Sequence, residues 1–470
     1  MTKTARLEDG RLIEYFPERI AEGSLKEVYL CKDNKCVLCF YKNRPQTDHC
    51  RFLRLKKILT DFNPTLGNNA DYWKKLFCWP TAIIKKPQLG VMTPIYPSNY
   101  FFKSGPWQGL EKKSRWFISP KLRQYLPKKE QGTWNHYFQI AIRLARTVNR
   151  LHQAGLAHSD LSDNNILIDP TIGQMMMIDI DSIAVPPIFM PEVAGTPGYI
   201  APEVLATAAL PIHDLKKQFA SIRTDQHALA VLIYEYLLNR HPLRGPKIHS
   251  SQSAEEDERL SLGEKALFIE HPNDTSNHPK EGIQVPVTAL GSTLTELFYQ
   301  AFITGLHAPN DRPSAYQWES RLLKTWQLLH PCPNPNCSHQ WLVIIPEPKK
   351  IRCPFCQTPL KTPFPLLTIH SPKRHEQLVI YHGQGLFKWH IFDNIFFSPE
   401  ADKTRQAYCV FYQRKWLLIN QALTSLLSPN GHRVEINQAV ELKTGTQIRF
   451  SQEPSGCTAE VTIISPYNCV

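Results

Sequence analysis

The segment "LHQAGLAHSDLSDNNILIDPTIGQMMMIDIDSIAV" carries oxygen ligands at fixed spacing: His158-Ser159-Asp160-Leu161, then Asn165, then Asp179 after an apolar run. Moving a phosphoryl group needs little covalent help from a protein. It needs a carboxylate to orient and deprotonate the attacking hydroxyl, and oxygen ligands to hold Mg²⁺ (or Mn²⁺) against the phosphates. Asp160 suits the first task, and Asn165 with Asp179 suits the second. Asp181, in "IDIDS", is either a further metal ligand or a turn residue. The turn reading is favoured, because one carboxylate and one amide already suffice.

The phosphates also need a cation. The stretch "GSLKEVYLCKDNKCVLCFYK" (23–42) reads as two β-strands about a turn. With Asp33-Asn34 as a two-residue turn, Leu30 faces Val37, Tyr29 faces Leu38 and Val28 faces Cys39. Side chains alternate along a strand, so Lys26, Val28, Val37 and Cys39 share one face and Lys42 takes the other. Lys26 lies diagonal to Cys39, about 7–8 Å away between backbone positions, which a lysine side chain spans. A bulge or longer turn would change the parity and make Lys42 the ligand. A third reading leaves no functional lysine. The helical stretch near Arg51 to Thr60 contains no acidic residue that could partner one.

This spacing resembles the protein-kinase catalytic loop and metal-binding segment. The resemblance continues in "GTPGYIAPEVL", with Glu203 in the Ala-Pro-Glu position, in Asp225 leading the helix "DQHALAVLIYEYLLNR", and in Arg312 of "NDRPSA" as the ion-pair partner of Glu203. It implies Asp160 as catalytic carboxylate, Asn165 and Asp179 as Mg²⁺ ligands, and Thr196 as the threonine that bonds the catalytic aspartate in serine/threonine kinases. Ser159 and Ser162 replace the family's arginine and lysine. Together with the short segment from Asp179 to Glu203, the lost arginine argues against activation by loop phosphorylation. "GSLKEVY" with Cys39 in "VLCFYK" resembles the With-No-Lysine kinases, in which a lysine of the glycine loop serves ATP. That likeness assigns Lys26 to the phosphates, Val28 and Val37 to the adenine, and Gly23 to the loop. The N-terminal region, with "CWP", "GVMTP" and "KALFIEHPND", resembles bacterial serine/threonine kinases of tellurite-resistance-type gene sets. Those imply a protein substrate, with a von Willebrand A-type protein and a metal-dependent phosphatase as partners. The implied activity is transfer of the ATP γ-phosphate to Ser/Thr hydroxyls in a bacterial signalling or stress system. The alternative is a catalytically weak pseudokinase scaffold that binds nucleotide and partner proteins.

"CPNPNCSHQWLVIIPEPKKIRCPFCQTPL" presents Cys332, Cys337, Cys353 and Cys356 as two close pairs separated by a strand-like run. Four thiolates suit tetrahedral Zn²⁺, and with no open position the metal would be structural. The pattern resembles a zinc ribbon. Reduced pairs or disulfides are the alternative, and His339 is a competing ligand. Cys31, Cys36 and Cys39 fail the same test, since no fourth ligand lies near them in sequence. Further on, "WLLINQALTSLLSPNGHRVEINQAVELKTGTQIRFS" resembles the later half of a forkhead-associated domain. Phosphopeptide binding by Arg414, Lys415 and Asn420 competes there with docking that needs no phosphate.

These groups need elements to position them. At 470 residues, 42% apolar and 20% charged, the chain is long enough for several cores. Its net charge of +12 favours acidic partners, but no nucleic-acid reader motif is present. The N-terminal stretch lacks the apolar core of a signal peptide, and no run approaches a membrane span, so a cytoplasmic protein with reduced thiols is expected. Short strand-like runs fill 1–95, the helical period dominates 96–328 with a polar insertion over about 243–286, and cysteines and prolines mark 329–362. Short β-rich runs with turn signals fill 366–470. The expected class is α+β: a bilobal protein-kinase-like fold with a β-rich, ATP-covering lobe and a helical catalytic lobe, then a zinc ribbon and an all-β sandwich.

Overall fold

The computed structural model describes residues 1–23, 25–42, 45–185, 188–189, 195–345, 351–397 and 401–466. The chain divides into two compact units: 1–132, 140–282 and 297–319 form the first, and 133–139, 283–296 and 320–470 form the second.

The first unit begins with six antiparallel strands, β1 (Lys3–Leu7), β2 (Leu12–Glu22), β3 (Lys26–Cys31), β4 (Cys36–Tyr41), β5 (Ala82–Lys86) and β6 (Gly90–Pro94). They close into a barrel in the order β1-β2-β3-β4-β6-β5. The period of two sorts β4 onto two cores. Leu38 and Phe40 join Ala5, Leu7, Tyr15 and Ile84 in one, while Cys39 and Tyr41 join Ile83, Val91 and Leu55 in the other. Leu55 belongs to helix α1 (Pro45–Leu59), so the second face of β4 is covered by that helix. The helix starts earlier than the sequence suggests and includes Asp48, whose carboxylate takes Arg51 at 3.2 Å.

The register of β3 against β4 sets Lys26 opposite Tyr41, Val28 opposite Cys39 and Leu30 opposite Val37. The turn itself differs from expectation by one position. Asn34 N–H donates to the Cys31 carbonyl at 3.0 Å, which centres the turn on Lys32 and Asp33, and Asn34 follows in the left-handed region at φ 54°. The parity is untouched.

The helical part of this unit carries the catalytic-type segment. Helix α2 (Trp134–Gln153) contributes its residues from Ile140 onward, and Ile140, Leu144, Val148 and Leu151 bury one stripe at helical spacing. Helix α3 (Ile222–Leu238) is buried from Thr224 to its end, as an all-round apolar helix must be. It starts at a capping box between Ser221 and Thr224, which places Asp225 in its first turn. A short hairpin, β7 (Ile166–Asp169) with β8 (Gln174–Met177), pairs Ile166 with Met177. Arg312, 3% exposed, grips Glu203 through two bonds of 2.8 and 2.7 Å and also donates to the Gly305 and Leu306 carbonyls.

The second unit holds the hairpin β9 (Leu329–Pro331) with β10 (Trp341–Val343) and two four-stranded antiparallel sheets. One sheet runs β12 (Arg374–Val379), β11 (Phe364–Ser371), β18 (Thr458–Ile464), β17 (Gln447–Arg449). The other runs β13 (Gly385–Leu386), β14 (Ala407–Tyr412), β15 (Lys415–Asn420), β16 (Ala439–Glu441). Residues of both sheets, with Leu342, Ile344 and Leu360 of the cysteine-rich segment, form one apolar core. Trp134 stands edge-on to Phe355 at 4.9 Å, and its N–H donates to the His339 carbonyl at 3.0 Å. No described helix is long and apolar enough to cross a membrane.

Removing one partner of a buried, bidentate ion pair leaves the other charge uncompensated. Arg312→Ala is therefore expected to lower stability by about 3 kcal/mol, read as an earlier denaturant midpoint by tryptophan fluorescence. Arg259→Ala, on a half-exposed pair with Glu256, leaves that midpoint essentially unchanged.

Candidate active site

The chemistry-bearing residues meet through backbone constraints. Asn165 stands immediately before β7 and Asp179 two residues after β8, and the Ile178 N–H donates to the Asn165 carbonyl at 3.0 Å. One hairpin therefore brings both oxygen ligands to its open end. The Asp225 carboxylate accepts the backbone N–H groups of His158 at 2.7 Å and Ser159 at 3.2 Å. That holds Ser159 in the left-handed region at φ 64° and aims the next residue, Asp160. His158 Nε2 lies 3.1 Å from the Ile178 carbonyl, which ties the loop to the hairpin.

Both oxygens of Asp160 are oriented. Thr196 Oγ1 donates to Oδ1 at 2.7 Å, and Asn165 Nδ2 donates to Oδ2 at 2.9 Å. Asn165 thus commits its nitrogen to Asp160 and keeps its amide oxygen for a cation. With the Asp179 carboxylate beside it, the donor set is two hard oxygens, which fits Mg²⁺ with water and phosphate completing the shell.

Asp160, Asn165 and Asp179 line a cleft of about 300 Å³ together with Gly23, Lys26 and Val28. An adjoining cavity of about 680 Å³ is walled by Val28, Val37, Cys39 and Tyr96. Gly23 N–H donates to the Lys26 carbonyl at 2.8 Å, and Gly23 and Leu25 both line the cleft. Lys26 Nζ bonds Asp179 and reaches Asp181 Oδ1 at 2.8 Å. Lys42 does not line the cleft, and its Nζ lies 2.6 Å from Glu22, a carboxylate at the cleft's edge. Asp181 is in a turn, Ile180–Ser182, but is also buried at 3% exposure and accepts the Tyr41 hydroxyl on Oδ2.

The electrostatics keep these groups in fixed states. Desolvation disfavours the Lys26 ammonium, but the Asp181 and Asp179 carboxylates outweigh it and hold its pKa well above the usual lysine range. Burial likewise works against the Asp181 carboxylate, and Lys26 with Tyr41 keeps it below the ordinary range. Burial pushes the Cys39 thiol up to about 11, so at neutral pH it is a small uncharged wall that cannot act as phosphate ligand.

Three features escaped the sequence reading. Tyr41 shares the parity of Cys39 and faces Lys26 directly, which the register alone could have shown. Asp181 was placed in a turn without its ion pair. Arg54, three residues after Arg51 on α1, is buried at 3% and lines the cleft where a carboxylate was sought.

In the second unit Cys332, Cys337, Cys353 and Cys356 cluster, with Sγ atoms of Cys332 and Cys356 3.5 Å apart and those of Cys337 and Cys353 3.8 Å apart. A tetrahedron with Zn–S of about 2.3 Å has edges of about 3.8 Å, so the thiols fit that metal. His339 stacks on Phe355 at 3.6 Å and stands outside the group. Cys31 and Cys36 gather Asp33 as a third group, and the described residues add no fourth. Asn420 is fully buried and ties its own loop, bonding the Leu423 and Val434 carbonyls, so it cannot face a phosphopeptide; Arg414 and Lys415 lie at an exposed turn. Ser24 of the loop, 186–187 and 190–194 of the segment before Glu203, and 346–350 of the ribbon lie outside the described residues. The expectation about loop phosphorylation falls on those.

Residues 117–318 match the family described as protein kinase domain. The stretch that holds Asp160, Asn165, Asp179 and Glu203 is thus similar to a protein kinase domain. It is 25% identical over 317 residues to the serine/threonine-protein kinase PknD of Chlamydia muridarum, across 59% of this chain and 30% of that protein. It is 30% identical over 255 residues to PknD of Chlamydia felis, across 48% and 24%. With the serine/threonine-protein kinase PknA of Mycobacterium tuberculosis it shares 33% over 130 residues, across 26% and 27%. The chain thus spans less than a third of the length of each of these relatives. Among solved structures, a rhoptry kinase from Toxoplasma gondii aligns over 69% of this chain and 84% of its own, at TM-score 0.41 and 11% identity. A Toxoplasma gondii specific rhoptry antigen kinase domain aligns over 65% and 88%, at TM-score 0.37 and 14% identity.

The burial of Cys39 has a direct consequence. With iodoacetamide at about pH 7.5, exposed Cys50 is alkylated well before buried Cys39. Peptide mass mapping over a time course checks the order.

Proposed function

We propose that this chain is an ATP-dependent serine/threonine protein kinase of a bacterial signalling or stress system, with Lys26 as its phosphate-binding lysine. The observation that carries the reading is that Asp160, held by Thr196 and Asn165, shares one cleft with Asp179 and the Lys26 that bonds it. Bound ATP and Mg²⁺ would supply the phosphoryl group and the charge neutralisation that its transfer requires. This chain does the rest. Val28 and Val37 cover the base, Gly23 closes the loop, Asn165 and Asp179 offer oxygens to the metal, and Lys26 places an ammonium at the phosphates. Asp160, fixed on both oxygens, accepts the proton of a substrate Ser or Thr hydroxyl and aligns its oxygen.

The chain's other modules fit a cytoplasmic regulator. Cys332, Cys337, Cys353 and Cys356 hold structural Zn²⁺, and the two sheets that follow act as a forkhead-associated-like docking sandwich without phosphate recognition through Asn420. A von Willebrand A-type protein and a metal-dependent phosphatase are the partners that the tellurite-resistance-type likeness suggests, beside the protein substrate. No role for nucleic acid is assigned.

Lys26→Met is expected to cut phosphate transfer roughly 100-fold and to weaken ATP binding, whereas Lys42→Met leaves both within about twofold. Asp160→Ala removes transfer by a factor on the order of 1,000 with ATP binding close to the parent. Transfer and calorimetric ATP binding are measured on the same preparations. Good binding with no transfer in the parent protein would replace the kinase by the pseudokinase scaffold. For the ribbon, elemental analysis should find about one zinc per chain, lost on Cys353→Ser together with the fold of the cysteine segment. A metal-free, fully folded parent would sink that assignment.

A further inference from the structure

Lys26 is a cation withdrawn from water, with its side chain only 16% exposed, and two carboxylates reach it. They are not equivalent. Asp179 is 36% exposed, sits beside Asn165, and is the group that a metal needs. Asp181 is 4% exposed and has both oxygens engaged, Oδ1 by Lys26 at 2.8 Å and Oδ2 by the Tyr41 hydroxyl. A cation would have to compete with Lys26 or Tyr41 for one of these oxygens to use it as a ligand.

Helix α1 presents cations beside Tyr41, its one carboxylate Asp48 being paired with Arg51 at 3.2 Å, and the glutamates of the cleft lining, Glu22 and Glu111, are paired with Lys42 and Lys113. The side chains α1 buries there are Arg51, with its guanidinium carbon 4.4 Å from the centre of the Tyr41 ring, and Arg54, which lines the cleft. Both are cations and would repel an ammonium. Tyr41 itself is fixed from two sides: it lies directly opposite Lys26 across the strand pair, and its ring packs with Leu55 and Ile83. Its hydroxyl therefore marks a defined point for the Asp181 carboxylate.

We propose that Asp181, clamped by Tyr41, is the positioning residue of Lys26, its permanent counter-ion, and that only Asp179 turns to the metal. The inference rests on the kinase reading of the same cleft. Lys26 is then placed by β4 and the turn after β8, and its alignment does not depend on any carboxylate from α1.

The test is a double-mutant cycle. Asp181→Asn and Tyr41→Phe are made alone and on Lys26→Met, and each protein is assayed for ATP affinity by calorimetry with Mg²⁺, for Mn²⁺ affinity of the nucleotide complex, and for phosphate transfer. The expected result is about tenfold weaker ATP binding and at least about tenfold slower transfer for Asp181→Asn, with a smaller change in the same direction for Tyr41→Phe. Both effects disappear on the Lys26→Met background, because they act through Lys26. Mn²⁺ affinity is unchanged throughout. A tenfold (about 1.4 kcal/mol) fall in Mn²⁺ affinity for Asp181→Asn would make Asp181 a metal ligand and overturn the proposal. So would an undiminished effect on the Lys26→Met background, which would mark general support of the fold. If Asp181→Asn does not fold, Tyr41→Phe carries the same cycle. Coupling in ATP binding without any transfer would overturn the kinase reading and leave the Lys26 and Asp181 pair standing. Transfer without coupling would do the reverse.

Discussion

The cleft is organised around one desolvated ammonium held between two carboxylates of the turn after β8. A charge taken from water is stable only beside a compensating charge with good hydrogen-bond geometry. Lys26 meets that condition through Asp179 and Asp181. The barrel must then present Lys26 on the face shared with Cys39, and the β7–β8 hairpin must deliver Asp179 to the same place. The register of β3 on β4 and the bond from Ile178 to the Asn165 carbonyl satisfy those two requirements.

The same logic explains why backbone strain gathers here. Ser159 and Asp179 both occupy the left-handed region, at φ 64° and 62°, which disfavours non-glycine residues by about 1 kcal/mol each. Each is held by a specific bond. Ser159 N–H is taken by Asp225, and the Asp179 carbonyl accepts Ser182 Oγ at 3.0 Å. Asp225 depends in turn on the capping box that starts α3, and the loop before α3's lobe is anchored by Arg312 on Glu203. Carboxylates that touch no substrate therefore set the direction of those that would.

Much of this was legible in the sequence because spacing encodes it. The order Asp160, Asn165, Asp179 fixes which groups share a hairpin, and period-two parity places Lys26 with Cys39 and Lys42 away from them. The turn shifted by one position without harm, since parity depends on which residues face each other and not on the turn's hydrogen bond. What the spacing cannot encode is packing between elements distant in sequence. Asp181 looks like a turn residue until the barrel brings Tyr41 and Lys26 onto it, 140 and 155 positions away. Asn420 failed for the opposite reason: a polar residue in a loop suggested a ligand, and its own loop consumed every one of its bonds shown here.

The position of Lys26 on β3 also bears on the neighbouring strands. At the Cys39 position a long side chain would compete with Lys26 for the same face, and a thiol of modest size leaves that space clear. On the far side of Cys39, β6 approaches so closely that a Cβ at Gly90 would stand 2.4 Å from the Cys39 carbonyl. Only glycine permits that approach, and it draws β4 against β6 with Phe40 opposite Gly90. With β4 seated there, Tyr41 ends the strand opposite Lys26 and completes the carboxylate clamp. The cysteine leaves room beside Lys26, the glycine lets β6 close on β4, and the tyrosine holds the carboxylate that Lys26 reaches.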